Sequence, residues 1–443
     1  MHSPDYSAVP RLAAADVVVV GSGSAGSVAA IAAARGGAST LLLERYGFPG
    51  GTSTGVLDTF YGFYTPGSKS AKVVGGVADD VISNLEELGG CLQRPNTYGA
   101  GTGITYNPEY LKIVWELLAS EAGASTLYHA WVQDVIRSGS RVAGLLVATK
   151  QGLRRVEGKV FVDASGDADV CAWAGVPFEL AGEHEPAQSL TTTFRVCNVD
   201  VEKRYLLSKD RFHALMAESA HEFGLPRKEG SDHRTTIPGV LATNMTRVRS
   251  FDWRDGQPVN ASDPMLLSEA ETEGRAQTLL YLEFLKRRVP GYESAELVSF
   301  SNQVGVRETR RVYGEYRLTR EDVLSARQFD DQIGLCGAPI EDHHSGDTTT
   351  WTYLPDGGCV GIPYRTLLPQ KCENLLVAGR CFSATHDAHA SVRSMAQCMA
   401  MGQAAGAAAA LSVKRNTSPH ELSAAALGDR LHQDGAILEM PGE

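Results

Sequence analysis

The sequence predicts an α/β fold: a mainly parallel sheet wound with helices, carrying an antiparallel meander and a smaller α+β insert. Three observations predict it. An apolar run at residues 17–20 leads straight into glycines spaced GxGxxG and then into an alanine-rich helical stretch at 27–35. Consecutive β-branched residues there read as a strand buried on both faces. Residues 126–162 alternate apolar and polar side chains in three runs, broken at 138–140 (SGS) and 150–152 (KQG), as a three-stranded meander requires. Beyond Pro186 the texture changes. A strand candidate (189–199), a mostly helical stretch (201–223) and a long amphipathic helix (262–287) follow, with no glycine-rich phosphate loop.

Taken in order, residues 1–14 read as a short disordered tail. In 16–44, DVVVVGSGSAGSVAAIAAARGGASTLLLE, each glycine has a task. Gly21 permits the tight turn, Gly23 lets backbone approach a pyrophosphate, and Gly26 lets helix and strand pack closely. The helix start offers free N–H groups and partial positive charge. A second strand, 39–43, ends in Glu44, 23 residues beyond the first glycine. That is the context of a Rossmann-type dinucleotide site, with Glu44 on the adenosine ribose; the plainer alternative is an acid that merely ends a strand. An acid there also disfavours NADP. The loop 45–55, RYGFPGGTSTG, bends sharply or lets backbone approach something bulky. Residues 73–88 and 107–122 have helical periodicity, the second opened by Asn107-Pro108. The segment 160–169, VFVDASGDAD, is a strand ending at Asp163.

A chain of 443 residues accommodates two or three domains. The division expected is 1–188 and 300–443 as two parts of one domain, with 189–299 as a smaller α+β substrate or cap domain. A net charge of −11 argues against nucleic acid and anionic membranes as partners. The run 392–413 contains Arg393, Gln397 and Gln403 and reads as a buried helix, not a membrane span. No secretory leader is evident. Eight cysteines without CxxC imply reduced thiols, a cytoplasmic protein and no redox-active disulfide. The partner expected is a small-molecule substrate; a homo-oligomer is left open.

These pieces together resemble the glutathione-reductase-type FAD-binding superfamily. More narrowly, they resemble its FAD-dependent oxidoreductase group allied to heterodisulfide-reductase A subunits and fumarate-reductase flavoproteins. The resemblance rests on the extended fingerprint through Ala30, Ala34, Gly37 and Glu44, on DASGD (163–167), and on NLLVAGR (374–380). It implies FAD as cofactor. The turn residues Gly21, Gly23, Ser24, Ala25 and Gly26 and the loop residues Glu44, Arg45, Gly51 and Thr52 would bind it. So would Asp163, Gly166 and Asp167 from the second segment, and Gly379, Arg380, Ser394 and Met395 from the third. A helix starting near Ser391 would approach the flavin's pyrimidine edge and stabilise negative charge there, with Arg393 adding a full positive charge; the alternative for Arg393 is a salt bridge at a helix start.

Between the returning strand and that helix lies SATHDAH (383–389), which makes His386 and His389 the acid/base candidates. The alternative is hydrogen-bonded corners. Arg307, Glu308, Arg310 and Arg311 would either bind a substrate carboxylate, chiefly through Arg307, or form an internal network pinning two domains; the network is the preferred reading. Tyr61 and Tyr64 line a pocket or pack in the core. His343-His344, near Asp342 and Asp347, has unspecific spacing and reads as a solvated loop, so no metal site is expected. The leading function is hydride transfer to FAD from a small-molecule C–H beside O or N, or C–C desaturation. Its alternatives are reduction of an activated C=C bond with an external donor, and a non-catalytic flavin-holding subunit.

Overall fold

A computed structural model of the chain describes residues 6, 8–68, 70–96, 99–343, 349–355 and 357–440. The first strand, β1 (Arg11–Val20), begins well ahead of the apolar run. The expected disordered tail is therefore corrected from Arg11 onward: residues 11–15 pair with residues 155–158 of a long neighbouring strand, which supplies their backbone partners. Helix α1 (Ser24–Arg35) starts inside the glycine motif, and β2 (Thr40–Leu43) returns parallel to β1 in the register Val17↔Thr40 to Val20↔Leu43. A short strand, β3 (Ser125–Leu127), extends the parallel sheet beyond β2. The meander is β4 (Trp131–Ser138), β5 (Arg141–Thr149) and β6 (Gly152–Asp163), with turns at the two predicted breaks.

Strand β6 serves two sheets' worth of pairing. Its first half pairs antiparallel with β5 and its last residues parallel with β7 (Leu375–Val377) along one edge, while residues 155–163 run parallel to β1 along the other. The result is a mixed, Rossmann-type α/β sheet in the order β3-β2-β1-β6-β5-β4, with β7 alongside β6. The four valines 17–20 are buried, as a strand covered on both faces demands.

Over this sheet lies one long helix, α3 (Met395–Arg415), preceded by the short α2 (His386–Val392). The single helix expected from near Ser391 is thus two, because Ser394 takes an extended conformation (φ −59°, ψ 151°) between them. Helix α3 packs on α1 almost backbone to backbone. A Cβ on Gly402 would sit 2.2 Å from the Ala25 carbonyl oxygen, and one on Gly406 2.2 Å from that of Ala29. Among the described residues no helix is long and apolar enough to cross a membrane.

The insert builds an antiparallel sheet in the strand order Ser231–Arg234, Leu241–Asn244, Phe194–Cys197, Glu296–Phe300. Helices Lys209–Phe223 and Pro264–Arg288 back it, burying Phe212, Met216, Tyr281, Phe284 and Leu285 against Phe194, Val196 and Leu241. Both helices open on side-chain caps: Ser208 accepts from the Arg211 amide (3.2 Å) and Asp263 from that of Leu266 (2.8 Å). The Ser208 cap is also why the stretch 201–223 forms two helices (Val201–Tyr205 and Lys209–Phe223) instead of one. This cap sheet is tied to the main body by the Asn302 amide, just past its last strand, donating to the Gly55 carbonyl at 2.7 Å.

Candidate functional site

One cavity of about 610 Å³ is walled on one side by the glycine turn and on another by the underside of the cap sheet. A larger groove, about 1020 Å³, lies elsewhere against Lys159, Asn374 and His420 and holds no part of the glycine turn. At the turn the three glycines differ. A Cβ on Gly21 (φ +90°) would lie 2.6 Å from the Ala164 oxygen and one on Gly26 only 1.8 Å from the Gly21 oxygen, whereas one on Gly23 would meet nothing within 4 Å. Gly21 and Gly26 are therefore required by packing, and Gly23 keeps open the space in front of α1. Helix α1 has no side-chain cap, so its first N–H groups face that space as an anion site. An FAD pyrophosphate fits there.

Ser24, Ala25, Glu44, Arg45, Gly51, Thr52, Gly166, Asp167, Gly379, Arg380, Ser394 and Met395 also line the cavity. Glu44 is buried; its Oε2 accepts from the Ser22 amide (2.9 Å) and hydroxyl (2.6 Å), and its Oε1 from the Tyr46 amide (2.8 Å). Arg380 pairs with Asp167 at 2.7 Å, and Thr309 also donates to that carboxylate at 2.8 Å. Burial would raise the Asp167 pKa, but Arg380 and Thr309 outweigh it and hold the group low. Asp163 is a correction: it does not line the cavity. Its oxygens accept from the Ser165 amide (3.1 Å), the Ser165 hydroxyl (2.6 Å) and the Cys171 amide (2.9 Å), so the carboxylate shapes the turn after β6.

The proposed substrate residues divide as well. Tyr61 lines the cavity and its hydroxyl accepts from Arg94 at 3.1 Å. Tyr64 packs instead against the core around Phe60, Phe63 and Val73. Arg307 and Arg393 both reach the cavity, near Glu341 and His343. Arg307 donates to the Ser189 carbonyl (2.6 Å), and burial, reinforced by Arg393 and Arg227, pushes it down to about 9. Burial likewise depresses Arg393, whose Nη2 donates to Gln188 at 3.3 Å while its buried Nε has no partner among the described residues. Glu341 is held near 2; burial opposes this, and His343, Arg393 and Arg307 prevail. These are crowded cations with one carboxylate between them.

The remaining members of the arginine cluster turn away from the cavity. Arg311 pairs with Glu308 (2.6 Å) and Glu179 (3.2 Å), and Arg310 with Asp169 (2.9 Å). The two candidate bases join them: neither His386 nor His389 lines the cavity. His386 Nδ1 lies 3.2 Å from Glu308 and its Nε2 3.6 Å from Asp342. Burial would depress its pKa, yet Asp342 and Glu308 raise it to about 10. His389 Nε2 sits 2.6 Å from the Arg380 carbonyl, its ring stacks on Phe382, and burial drives its pKa well below normal. Three residues apart on α2, both rings fall on the face turned to Glu308.

Two histidines that sequence reasoning did not select as bases do line the cavity. His343 is no solvated loop: it is buried between Glu341 (2.8 Å) and Thr349 (3.0 Å), and burial with the nearby Arg307 charge pushes it down to about 3. His344 and Asp347 lie outside the described residues. His233 reaches across from the cap strand to Asp58, Nε2 to Oδ1 2.7 Å. The available signal was weak: Asp58 follows the glycine-rich loop, and Ser231–Arg234 alternates with no apolar face. All eight cysteines are free. Among the described residues no three His, Cys, Asp or Glu side chains gather to hold a metal.

A family model described as FAD dependent oxidoreductase matches residues 16–431. A digeranylgeranylglycerophospholipid reductase of Thermoplasma acidophilum is 27% identical over 228 residues, 48% of this chain and 54% of that protein. Digeranylgeranylglycerophospholipid reductase 2 of Methanothermobacter thermautotrophicus is 29% identical over 230 residues, with the same coverages of 48% and 54%. The chain spans about half the length of the curated relatives it matches. Among solved structures, a geranylgeranyl bacteriochlorophyll reductase-like protein from Thermoplasma acidophilum has a TM-score of 0.43 at 14% identity, covering 95% of this chain and 82% of its own. A flavin-dependent brominase has 0.47 at 15%, covering 95% and 83%. At that level of likeness neither bears on substrate or mechanism.

Proposed function

The chain belongs to the FAD-dependent oxidoreductase family, and from that premise we propose that it oxidises an anionic small molecule, removing hydride from a C–H bond beside O or N or desaturating a C–C bond. One observation carries this reading: the cavity is continuous from the open space at Gly23 to the cations Arg307 and Arg393 beneath the cap. FAD, when bound, supplies the hydride acceptor. The protein's share is binding and orientation. The α1 start takes the pyrophosphate and Glu44 the ribose, exchanging its Ser22 hydroxyl contact for the sugar. Ser394 and Met395 present the uncapped start of α3 to the flavin ring. Arg307 and Arg393 together grip a carboxylate, which relieves their mutual repulsion. Residues 1–188 and 300–443 then form the cofactor-holding domain and 189–299 the cap. The closer kinship with heterodisulfide-reductase A and fumarate-reductase flavoproteins belongs to this proposal and rests on the DASGD and NLLVAGR segments.

A second reading has the same site reduce its substrate, as the names of the curated reductases suggest. One experiment separates them. The purified protein should absorb near 450 nm, and acid precipitation shows whether the flavin is covalent. Anaerobic titration with small carboxylic acids and their methyl esters should bleach the flavin with the acids alone. Recolouring of chemically reduced protein by unsaturated acids, without any bleaching, would favour reduction. A colourless preparation that takes up no FAD would sink both. Gly23→Val should lose flavin while the apoprotein keeps its melting temperature, since the side chain fills cofactor space and a Cβ there meets no atom within 4 Å; full flavin content would place the cofactor elsewhere.

A further inference from the structure

Three strands of the cap sheet place His233, Ala242 and Arg195 side by side, in the registers His233↔Ala242 and Ala242↔Arg195. Directly paired residues share a face of a sheet, and this face roofs the cavity. The opposite face belongs to the cap interior, where Phe194 and Val196 pack and where Arg204 holds Asp232 at 2.6 and 2.9 Å. Because Ala242 is small, a side chain from below can rise between its two neighbours. Asp58 does so from the segment after the glycine-rich loop. Its Oδ1 lies 2.7 Å from His233 Nε2 and its Oδ2 3.3 Å from Arg195 Nε. The Asp58 side chain is 5% exposed and that of His233 13%.

We propose that His233, oriented by Asp58, is the acid/base of this enzyme: its Nδ1 takes the proton of the substrate's O–H or N–H group. This rests on the reading of the cavity as the flavin and substrate site. The tautomer follows from the contacts. Burial would neutralise Asp58, but His233 and Arg195 overcome it and keep the carboxylate charged. A carboxylate only accepts hydrogen bonds, so Nε2 carries hydrogen, and in the neutral ring the basic lone pair sits on Nδ1. Nδ1 has no hydrogen-bond partner among the described residues. Oxidation of H–C–O–H to C=O releases a hydride from carbon, which FAD accepts, and a proton from oxygen, which forms a new N–H bond at Nδ1. The resulting imidazolium is paired with Asp58. Other groups facing the ring are the Thr59 hydroxyl (3.4 Å from Nε2), with Arg94 and the Tyr61 phenol beyond it.

The dyad is split between the lobes, His233 on the cap and Asp58 on the main body.

Diethylpyrocarbonate, which acylates only an accessible, unprotonated imidazole nitrogen, reads this state directly. Treated as holoenzyme at pH 8 and analysed by peptide mass spectrometry, His233 should be labelled, while His386 stays unlabelled. With an acid that bleaches the flavin, His233→Gln should retain flavin and slow its anaerobic reduction by roughly 100- to 10,000-fold, flattening the acid limb of the rate profile. A His233 that resists labelling at pH 8 is a locked structural cation and overturns the proposal. So does a His233→Gln enzyme that bleaches at the wild-type rate with the wild-type pH profile. Failure to bind flavin at all strikes the function, whereas normal flavin binding with either of these results strikes only the dyad.

Discussion

Two of the molecule's histidine–carboxylate pairs, His386 with Glu308 and His233 with Asp58, are built differently. His386 meets Glu308 at Nδ1 and Asp342 at Nε2, so both ring nitrogens face anions and the ring is held as a cation. His233 meets one carboxylate, Asp58, at Nε2; the residue lines the cavity, and Nδ1 has no hydrogen-bond partner among the described residues. The first pair is part of the framework that includes Arg311 and the amide of Gln188, which donates to Glu308 at 2.7 Å. The second lies in a cavity wall shared by two lobes. Two anionic partners make His386 a structural charge, whereas a single one leaves His233 with an unpartnered ring nitrogen among the described residues.

The largest effect should come from the framework. Glu308→Ala leaves Arg311 and His386 buried without their anion and should cost about 3–5 kcal/mol in denaturant unfolding. A loss under 1 kcal/mol would erase the distinction between the two pairs. Next is the pH dependence that the framework imposes. His386 is raised from its ordinary value near 6.5 to about 10. Its stabilisation is therefore complete below pH ~6.5 and lost as pH climbs through about 10. In His386→Asn that decline should be missing, and the wild-type and variant stability curves should converge at the alkaline end; parallel curves would show that His386 is not charged in the fold. The smallest effect belongs to the cavity pair. His233→Asn keeps a hydrogen-bond donor for Asp58, which also retains Arg195, so stability should change by less than about 1 kcal/mol. A larger loss would move His233 into the framework.

Much of the architecture was legible from the chain alone. The strand–turn–helix unit, the two meander turns and the capped helix at Asn107-Pro108 depend on contacts within a few residues, where spacing and residue type decide the conformation. The distinction among the three glycines was equally readable: two are needed by backbone packing and one by an open space. Reading failed where a side chain's surroundings come from distant segments. Asp163, Tyr64, His386 and His389 sit in motif-rich stretches and looked functional, yet each is consumed by partners or packing within the fold.

Sequence by itself determined the fold class and the dinucleotide turn, because these rest on local backbone geometry written into glycines, β-branched runs and caps; the flavin was implied by the resemblance that DASGD and NLLVAGR carry. Only the tertiary structure decided which charged residues face the cavity. Asp58 and His233 are separated by |i−j| of 175, and Arg393 and Gln188 by 205. Side-chain charge acts through space over a few ångströms, and nothing in the local pattern of either partner records who will stand that close.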